Sequence, residues 1–249
     1  MSDELPAKKF SPEGRLYQVE YAMETVSYAG SCVGIVAEDG VLLAVEDGGD
    51  TKLRDTTVVC TGKLFQLSND TICAMSGVAG DCLVLTTELQ DTVYEHVEEY
   101  GEQMPCEELV RHLASIIQSY TQYGTYRPFA VSALYIGWDE RYGYQLFHSD
   151  PSGSYYGWLC TAIGRESEVA KSLLEKELTK TDFKTNLELA KQLALKVFLK
   201  ISKNSIINEE NVKIMTLKRI DNKIVIEKIT KDEIKELLEN VDMSCDEDN

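Results

Sequence analysis

The chain has 249 residues, 43% of them hydrophobic, and a formal net charge of −17. That length and composition are sufficient for one sizeable buried core, and they predict a single domain over residues 1–249. The excess of acidic residues argues against a nucleic-acid partner, because binding to phosphates requires a basic surface.

The first predicted element lies in the segment 10–24, which reads FSPEGRLYQVEYAME. Ser11 is a candidate N-cap and Pro12 suits a first helical turn, so one short turn is expected to start there. Gly14 then allows the chain to change direction. Beyond it, apolar residues recur at spacings of three and four, which predicts an amphipathic helix buried along Leu16, Val19, Met23 and Val26.

Short strands are predicted after this helix. Cys32–Ala37 and 41–45 are apolar runs on either side of the turn Glu38-Asp39-Gly40, a pattern typical of a β-hairpin. Three further strands are expected at 57–60, 63–67 and 71–76.

From residue 78 the apolar period changes to three and four, which predicts two long helices over 78–100 and 106–123. Strand patterns then return at 129–137, 144–148 and 155–163, and the last two are joined by a turn at 150–153. A second pair of helices is predicted at 166–178 and around 187–201. The chain closes with strands at 213–217 and 223–228 and a helix at 231–238.

Strand blocks that alternate with helix pairs predict an α+β protein in which two stacked sheets are covered by helices on both outer faces. This arrangement is a four-layer αββα sandwich, and the helix that begins in segment 10–24 is an extra N-terminal helix outside it. Residues 241–249 are acidic and are expected to form a C-terminal tail.

The N-terminus, the length of the apolar runs and the cysteines predict where the protein is located. The first ten residues contain no apolar core of the length found in signal peptides, and no apolar run approaches the roughly 20 residues of a bilayer span, so no membrane partner is expected. Seven cysteines without CxxC spacing favour reduced thiols over a disulfide or zinc framework. The expected location is the cytoplasm and nucleus.

Three segments of the chain resemble proteasome α-type subunits. They are the segment 10–24, the segment RPFAVSALYIGWD at 127–139, and SDPSG at 149–153. The sequences YIGWD and SDPSGSYYGW are most similar to those of the type-4 subfamily. The resemblance implies the fold of N-terminal nucleophile hydrolases and a non-catalytic subunit of a threonine-protease complex, without a cofactor or metal.

The resemblance also implies partners and a cellular role. Members of the family stand in a heteroheptameric ring of α subunits of the 20S proteasome, pack on a ring of β subunits, and dock a regulatory particle or other activators. They contribute to ring assembly and substrate-entry gating in ubiquitin-dependent protein degradation.

Specific residues are carried over from the family motifs. Residues 1–10 would be the gate tail, and 11–30 the N-terminal turn and helix, with the gate turn at Ser11, Pro12 and Tyr21. The family lysine that accepts an activator's C-terminal carboxylate corresponds to Lys63, and positions around its pocket correspond to Gly14, Glu20 and Gly77. The tail departs from the family pattern, because Asp3-Glu4-Leu5 stands in place of the usual Tyr-Asp-Arg run.

Two alternatives remain open at this point. In the first, the chain is an active N-terminal nucleophile hydrolase in which removal of residues 1–30 frees Ser31. Asp47 and Lys63 follow Ser31 at 16 and 32 residues, a spacing close to that of the acidic and basic partners in catalytic β-type subunits. In the second, the chain is a free-standing binding scaffold with the same fold.

Overall fold

The computed structural model describes residues 9–47, 62–123, 126–202 and 207–241. Six helices are found in these ranges: α1 (Tyr17–Ser27), α2 (Ala79–Tyr100), α3 (Cys106–Gln122), α4 (Ser167–Thr179), α5 (Leu187–Ile201) and α6 (Lys231–Asn240). None of them is both long enough and apolar enough to cross a bilayer.

Ten strands are found in the same ranges: β1 (Cys32–Ala37), β2 (Gly40–Glu46), β3 (Leu64–Gln66), β4 (Thr71–Gly77), β5 (Val131–Asp139), β6 (Gly143–Ser149), β7 (Tyr155–Gly157), β8 (Cys160–Ile163), β9 (Val212–Ile220) and β10 (Lys223–Lys228). They form two five-stranded sheets with the orders β10-β9-β2-β1-β8 and β3-β4-β5-β6-β7, and all neighbouring strands are antiparallel.

The layers follow from strands that are apolar on both faces. In β2, Leu42 and Ala44 face the core shared with α4, α5 and α6, whereas Val41, Leu43 and Val45 face the second sheet. Because successive side chains of a strand point to opposite faces, such a strand is buried on both sides. The second sheet meets α2 and α3 in a third apolar cluster. The predicted αββα sandwich is confirmed.

The N-terminal helix α1 lies outside these layers and contacts β4 and β5. Val19 and Val26 are buried as predicted, but Met23 is exposed and Ala22 takes its place on the buried face. The predicted burial of Met23 is therefore wrong. Residues 19, 22 and 26 are themselves spaced by three and four, so the helical period holds with a slightly rotated face.

One strand prediction differs from the structure, and another is not tested by it. The run 155–163 is not one strand, because β7 belongs to one sheet and β8 to the other. Between them, the main-chain nitrogen of Trp158 donates to Leu146 and the carbonyl of Leu159 accepts from Val36, so these two residues carry the chain across. The predicted strand 57–60 lies outside the described residues.

Candidate functional site

The N-terminal turn has the predicted position. The main-chain nitrogen of Gly14 donates to the carbonyl of Ser11 at 2.8 Å, and the hydroxyl of Ser11 accepts from the nitrogen of Arg15 at 3.1 Å. Gly14 has φ of +78°, a backbone conformation that favours glycine. Ser11 is buried and Pro12 is exposed. Ser11 thus closes a turn, but it does not cap α1, which follows Leu16 without a side-chain cap among the described residues.

Glu20, in the first turn of α1, is paired with Arg15. The Nε atom of Arg15 donates to Glu20 at 2.8 Å, and an Nη atom contacts the second carboxylate oxygen. The hydrogen bond and charge of Arg15 lower the pKa of Glu20. This pair joins the end of the turn to the start of α1.

Tyr21 lies one residue further along the helix and is exposed. Its ring stacks on that of Tyr17, with centroids 6.3 Å apart. Tyr21 also lines a surface depression together with Val78, Arg127 and Pro128. An aromatic side chain so placed offers a rigid, largely apolar contact surface beside the N-terminal turn.

Lys63 and Gly77 lie together at a cavity of about 190 Å³ where β3 and β4 meet the start of α2. The described residues that line it are mostly apolar, and Lys63 is the one with a charged side chain. The others are Gly62, Phe65, Met75, Gly77, Ala79, Gly80, Cys82 and Leu83. The sequence prediction missed Phe65, Met75, Cys82 and Leu83. The positions of Met75 and Cys82 indicate only the buried faces of a strand and a helix, and Leu83 is an exposed residue outside the predicted apolar stripe.

Two features contribute positive charge at this cavity, and the carboxylate of Asp81 in the first turn of α2 lies beside them. The main-chain N–H groups at the start of a helix carry partial positive charge, and α2 begins at Ala79 without a side-chain cap among the described residues. The ammonium of Lys63 adds a full charge. Burial, together with the nearby carboxylate of Asp81, raises the pKa of Cys82 to about 11, so this thiol is neutral at physiological pH. The cavity thus combines a cationic end with apolar walls.

The close approach at Gly77 fixes the shape of the cavity. Gly77 has φ of +145°, and a Cβ atom built on it lies 2.0 Å from the carbonyl oxygen of Ala130. Only glycine fits there. Gly14 and Glu20, the other two residues carried over for this pocket, do not line the cavity within this chain.

Ser31 immediately precedes β1 and is 1% exposed. Its hydroxyl donates to the carbonyl of Arg165 at 2.8 Å. The residues before it are also held, because Ser76 donates to the carbonyl of Gly30 at 2.8 Å and the nitrogen of Arg165 donates to Ala29 at 2.8 Å. The peptide link that precedes Ser31 is therefore built into the fold.

The two residues proposed as partners of Ser31 are bonded elsewhere. Asp47 forms an ion pair with Lys213 of β9, and the ammonium of Lys63 donates to the main-chain carbonyl of Glu46 at 2.6 Å. The hydroxyl of Ser31 thus bonds to neither residue, although both stand at the spacing of 16 and 32 residues that the hydrolase alternative uses.

A metal centre is not indicated by the part of the chain that the structure describes, where no three His, Cys, Asp or Glu side chains gather around a common point.

Comparison with known proteins decides the family. The family described as "Proteasome subunit" matches residues 26–217, and the N-terminal signature of α-type proteasome subunits matches residues 10–24. The chain belongs to the proteasome α-type subunit family.

Individual α-type subunits are similar over nearly the whole chain. "Proteasome subunit alpha type-4" of Drosophila melanogaster is 48% identical over 231 residues, which cover 92% of this chain and 87% of that protein. The protein of the same name in Dictyostelium discoideum is 40% identical over 244 residues, 96% of each. "Proteasome subunit alpha type-3" of Saccharomyces cerevisiae is 40% identical over 235 residues, 92% of this chain and 88% of that protein. The predicted resemblance to α-type subunits, type 4 in particular, is confirmed.

Membership of the α-type family also bears on the hydrolase alternative. The α-type signature occupies residues 10–24, within the segment that processing at Ser31 would remove. In this proteasome α-type subunit the same segment forms the turn at Ser11 and helix α1. The family and the geometry together support the α-type prediction and give no support to an active Ser31.

Proposed function

We propose that this proteasome α-type subunit is a non-catalytic member of the heteroheptameric α ring of the 20S core particle, in the cytoplasm and nucleus. It packs on neighbouring α subunits and on the β ring, gates substrate entry, and docks regulatory particles in ubiquitin-dependent protein degradation. The observation that carries this proposal is the state of Ser31. Its hydroxyl is buried and bonded to the carbonyl of Arg165, and the chain before it is fixed through Ala29 and Gly30.

The intact mass of the subunit, isolated from native particles, tests this proposal directly. We expect the mass of a chain that retains residues 1–30 and elutes with a multisubunit particle. A chain that begins at Ser31 would instead support the hydrolase alternative, because only removal of the preceding residues gives Ser31 an α-amino group. A monomer in cell extracts would support the free-standing scaffold.

The cavity at Lys63 supports the docking part of the proposal. A carboxylate beside the Lys63 ammonium gains charge-assisted hydrogen bonds and the favourable field of the start of α2. The apolar walls formed by Met75 and Leu83 suit the side chains next to such a carboxylate. The C-terminal end of an activator chain has this combination. Gly14 and Glu20 lie away from the cavity, so we propose that they contribute to an intersubunit pocket from the N-terminal side.

The docking role is tested by the substitution Lys63→Ala in assembled particles. Binding of an activator peptide with a free C-terminal carboxylate, measured at this subunit by photo-crosslinking and mass spectrometry, should weaken about tenfold or more, as expected for the loss of a hydrogen bond to a charged group. Lys228→Ala, at an exposed position on β10, is the matched control and should bind as the unmodified particle does. Unchanged labelling of the Lys63 variant would remove this residue from the pocket.

The gating part of the proposal rests on the turn at Ser11 and Pro12 and on the exposed ring of Tyr21. Residues 1–8 lie outside the described residues, and the chain that follows them forms the turn and α1. We propose that this tail obstructs substrate entry and that Tyr21 offers a contact surface to it. Deletion of residues 2–9 should then raise the basal rate of peptide hydrolysis by the assembled particle. An unchanged rate would count against a gating role for this tail.

A further inference from the structure

A second charged group lies behind Lys63, at the end of β2. The carboxylate of Glu46 is bound by one guanidinium nitrogen of Arg165, at 2.8 Å to one oxygen and 3.0 Å to the other. Glu46 is buried, whereas the side chain of Arg165 is partly exposed. Since β2 and β8 lie on either side of β1, this ion pair spans the end of β1.

The main chain of Glu46 holds the ammonium of Lys63. The Nζ atom donates to the Glu46 carbonyl at 2.6 Å and lies directly over Gly30, where a Cβ atom would be 1.8 Å away. A lysine ammonium has three N–H donors, so this bond uses one and leaves two for an anion. The position of the ammonium therefore depends on the position of one carbonyl group.

Arg165 fixes both sides of this arrangement. Its guanidinium binds the side chain of Glu46, its main-chain nitrogen donates to Ala29, and its carbonyl accepts from Ser31, each main-chain contact at 2.8 Å. Gly30 lies between the last two residues. Arg165 thus connects the end of β2 to the segment 29–31, and the ammonium of Lys63 lies over Gly30 in that segment.

We propose that Arg165 is a positioning residue for the carboxylate-binding cavity: by fixing Glu46 and the Ala29–Ser31 segment, it holds the ammonium of Lys63 ready for a terminal carboxylate. This inference rests on the proposed docking function of the cavity. Donor groups that are held in place before binding lose less conformational entropy when the ligand arrives. Arg165 acts through Glu46 and does not itself contact the ligand.

The test uses assembled particles that contain the full chain with Arg165→Gln. The probe is a photoreactive activator peptide with a free C-terminal carboxylate, and its twin with an amidated C-terminus reports on binding without the terminal charge. Labelling of this subunit by the free-acid peptide should require about tenfold more peptide, the equivalent of one weakened charged hydrogen bond. The amidated peptide should label both particles equally, whereas a general disturbance of the pocket would weaken both probes.

Companion variants separate a failure of this inference from a failure of the docking function. Arg165→Lys keeps a positive charge near Glu46 and should recover part of the binding. Glu46→Gln leaves the carbonyl in place and removes the charged partner, so it should reproduce the loss and serves if Arg165→Gln does not assemble. Arg111→Gln, at an exposed position on α3, is the control and should bind normally.

Two outcomes overturn different statements. If Lys63→Ala binds the free-acid peptide normally, the docking function itself fails. If Lys63→Ala weakens binding but Arg165→Gln and Glu46→Gln both bind as the unmodified particle does, the docking function stands and the positioning role of Arg165 is overturned.

Discussion

Asp81 and Arg127 form a bidentate ion pair that fixes the start of α2. The two terminal nitrogens of Arg127 donate to the two carboxylate oxygens of Asp81 at 2.7 and 2.8 Å, and the main-chain nitrogen of Ala130 donates to the same carboxylate at 3.0 Å. Arg127 and Ala130 precede β5, so the pair joins the first turn of α2 to that strand. The Lys63 cavity uses the same helix start as one of its walls.

The substitution Asp81→Asn should lower the free energy of unfolding at neutral pH by about 1–2 kcal/mol, since it breaks a charged hydrogen-bond network whose arginine is partly exposed. Burial alone raises the pKa of Asp81, but the hydrogen bonds from Arg127 and Ala130 outweigh it and the net pKa is lowered. A carboxylate with a lowered folded-state pKa stabilises the protein above about pH 4, and this contribution is lost as the pH falls through the folded-state pKa.

The measurement for Asp81 is urea denaturation of the purified protein at a series of pH values. The difference between the unmodified chain and the Asn variant should shrink as the pH falls below about 4. Asp91→Asn, at an exposed position on the same helix, is the control and should change stability little at any pH. A difference for Asp81→Asn that stays constant from pH 7 to pH 3 would contradict the assignment.

The substitution Ser31→Ala should leave peptide hydrolysis by the assembled particle unchanged, because the hydroxyl is buried and donates to the carbonyl of Arg165. The free energy of unfolding should fall by about 1 kcal/mol, since that carbonyl loses a hydrogen-bond partner. Peptidase assays and denaturation curves measure the two effects. Ser27→Ala, at an exposed position in α1, should change neither. Loss of any peptidase activity on Ser31→Ala would reinstate the hydrolase alternative.

Most elements of the fold were predictable because they depend on local patterns. The change of apolar period to three and four located the long helices, and the turn Glu38-Asp39-Gly40 located the first hairpin. The split of 155–163 was not predictable, because residues on both sides of Trp158 favour extended backbone. Which sheet an extended segment joins depends on distant partners, here Leu146 and Val36.

The candidate site was predictable only in part. Lys63 and Gly77 were found through the family motif, and the structure places both at one cavity. The positions of Met75 and Cys82 indicated core packing, and only the fold brings the start of α2 beside β3. The bond between Arg165 and Glu46 joins residues 119 apart in sequence, so no local pattern pointed to it.

Asp39 illustrates the same limit and leads to a further prediction. Sequence patterns indicated only its role in a turn, yet its carboxylate accepts from the main-chain nitrogen of Leu187 at 2.8 Å, at the start of α5. Asn186 accepts from Leu189 at 2.9 Å, so two side chains cap this helix. Asp39→Ala and Asn186→Ala should each lower the free energy of unfolding by about 1 kcal/mol, the usual cost of a lost cap.

Thermal unfolding followed by circular dichroism measures both cap variants. Glu38→Ala is the matched control for Asp39, because Glu38 is exposed in the same turn and bonds to Thr185 through its main-chain nitrogen, which the substitution keeps. We expect its stability to stay within about 0.5 kcal/mol of the unmodified chain. An Asp39 variant as stable as the Glu38 variant would show that the carboxylate contributes nothing as a cap.

Gly77→Ala should be the most damaging substitution near the cavity. A Cβ atom at Gly77 lies 2.0 Å from the carbonyl oxygen of Ala130, and the φ of +145° is one that alanine avoids. Because the clash is with main chain, β4 or the segment before β5 must shift, and we expect the free energy of unfolding to fall by about 3 kcal/mol or more.

Gly80→Ala is the control, since nothing lies within 4 Å of its Cβ position and alanine favours the helix by up to about 1 kcal/mol. Denaturation curves for the two variants should therefore move in opposite directions, and a Gly77 variant as stable as the Gly80 variant would contradict the close approach to Ala130.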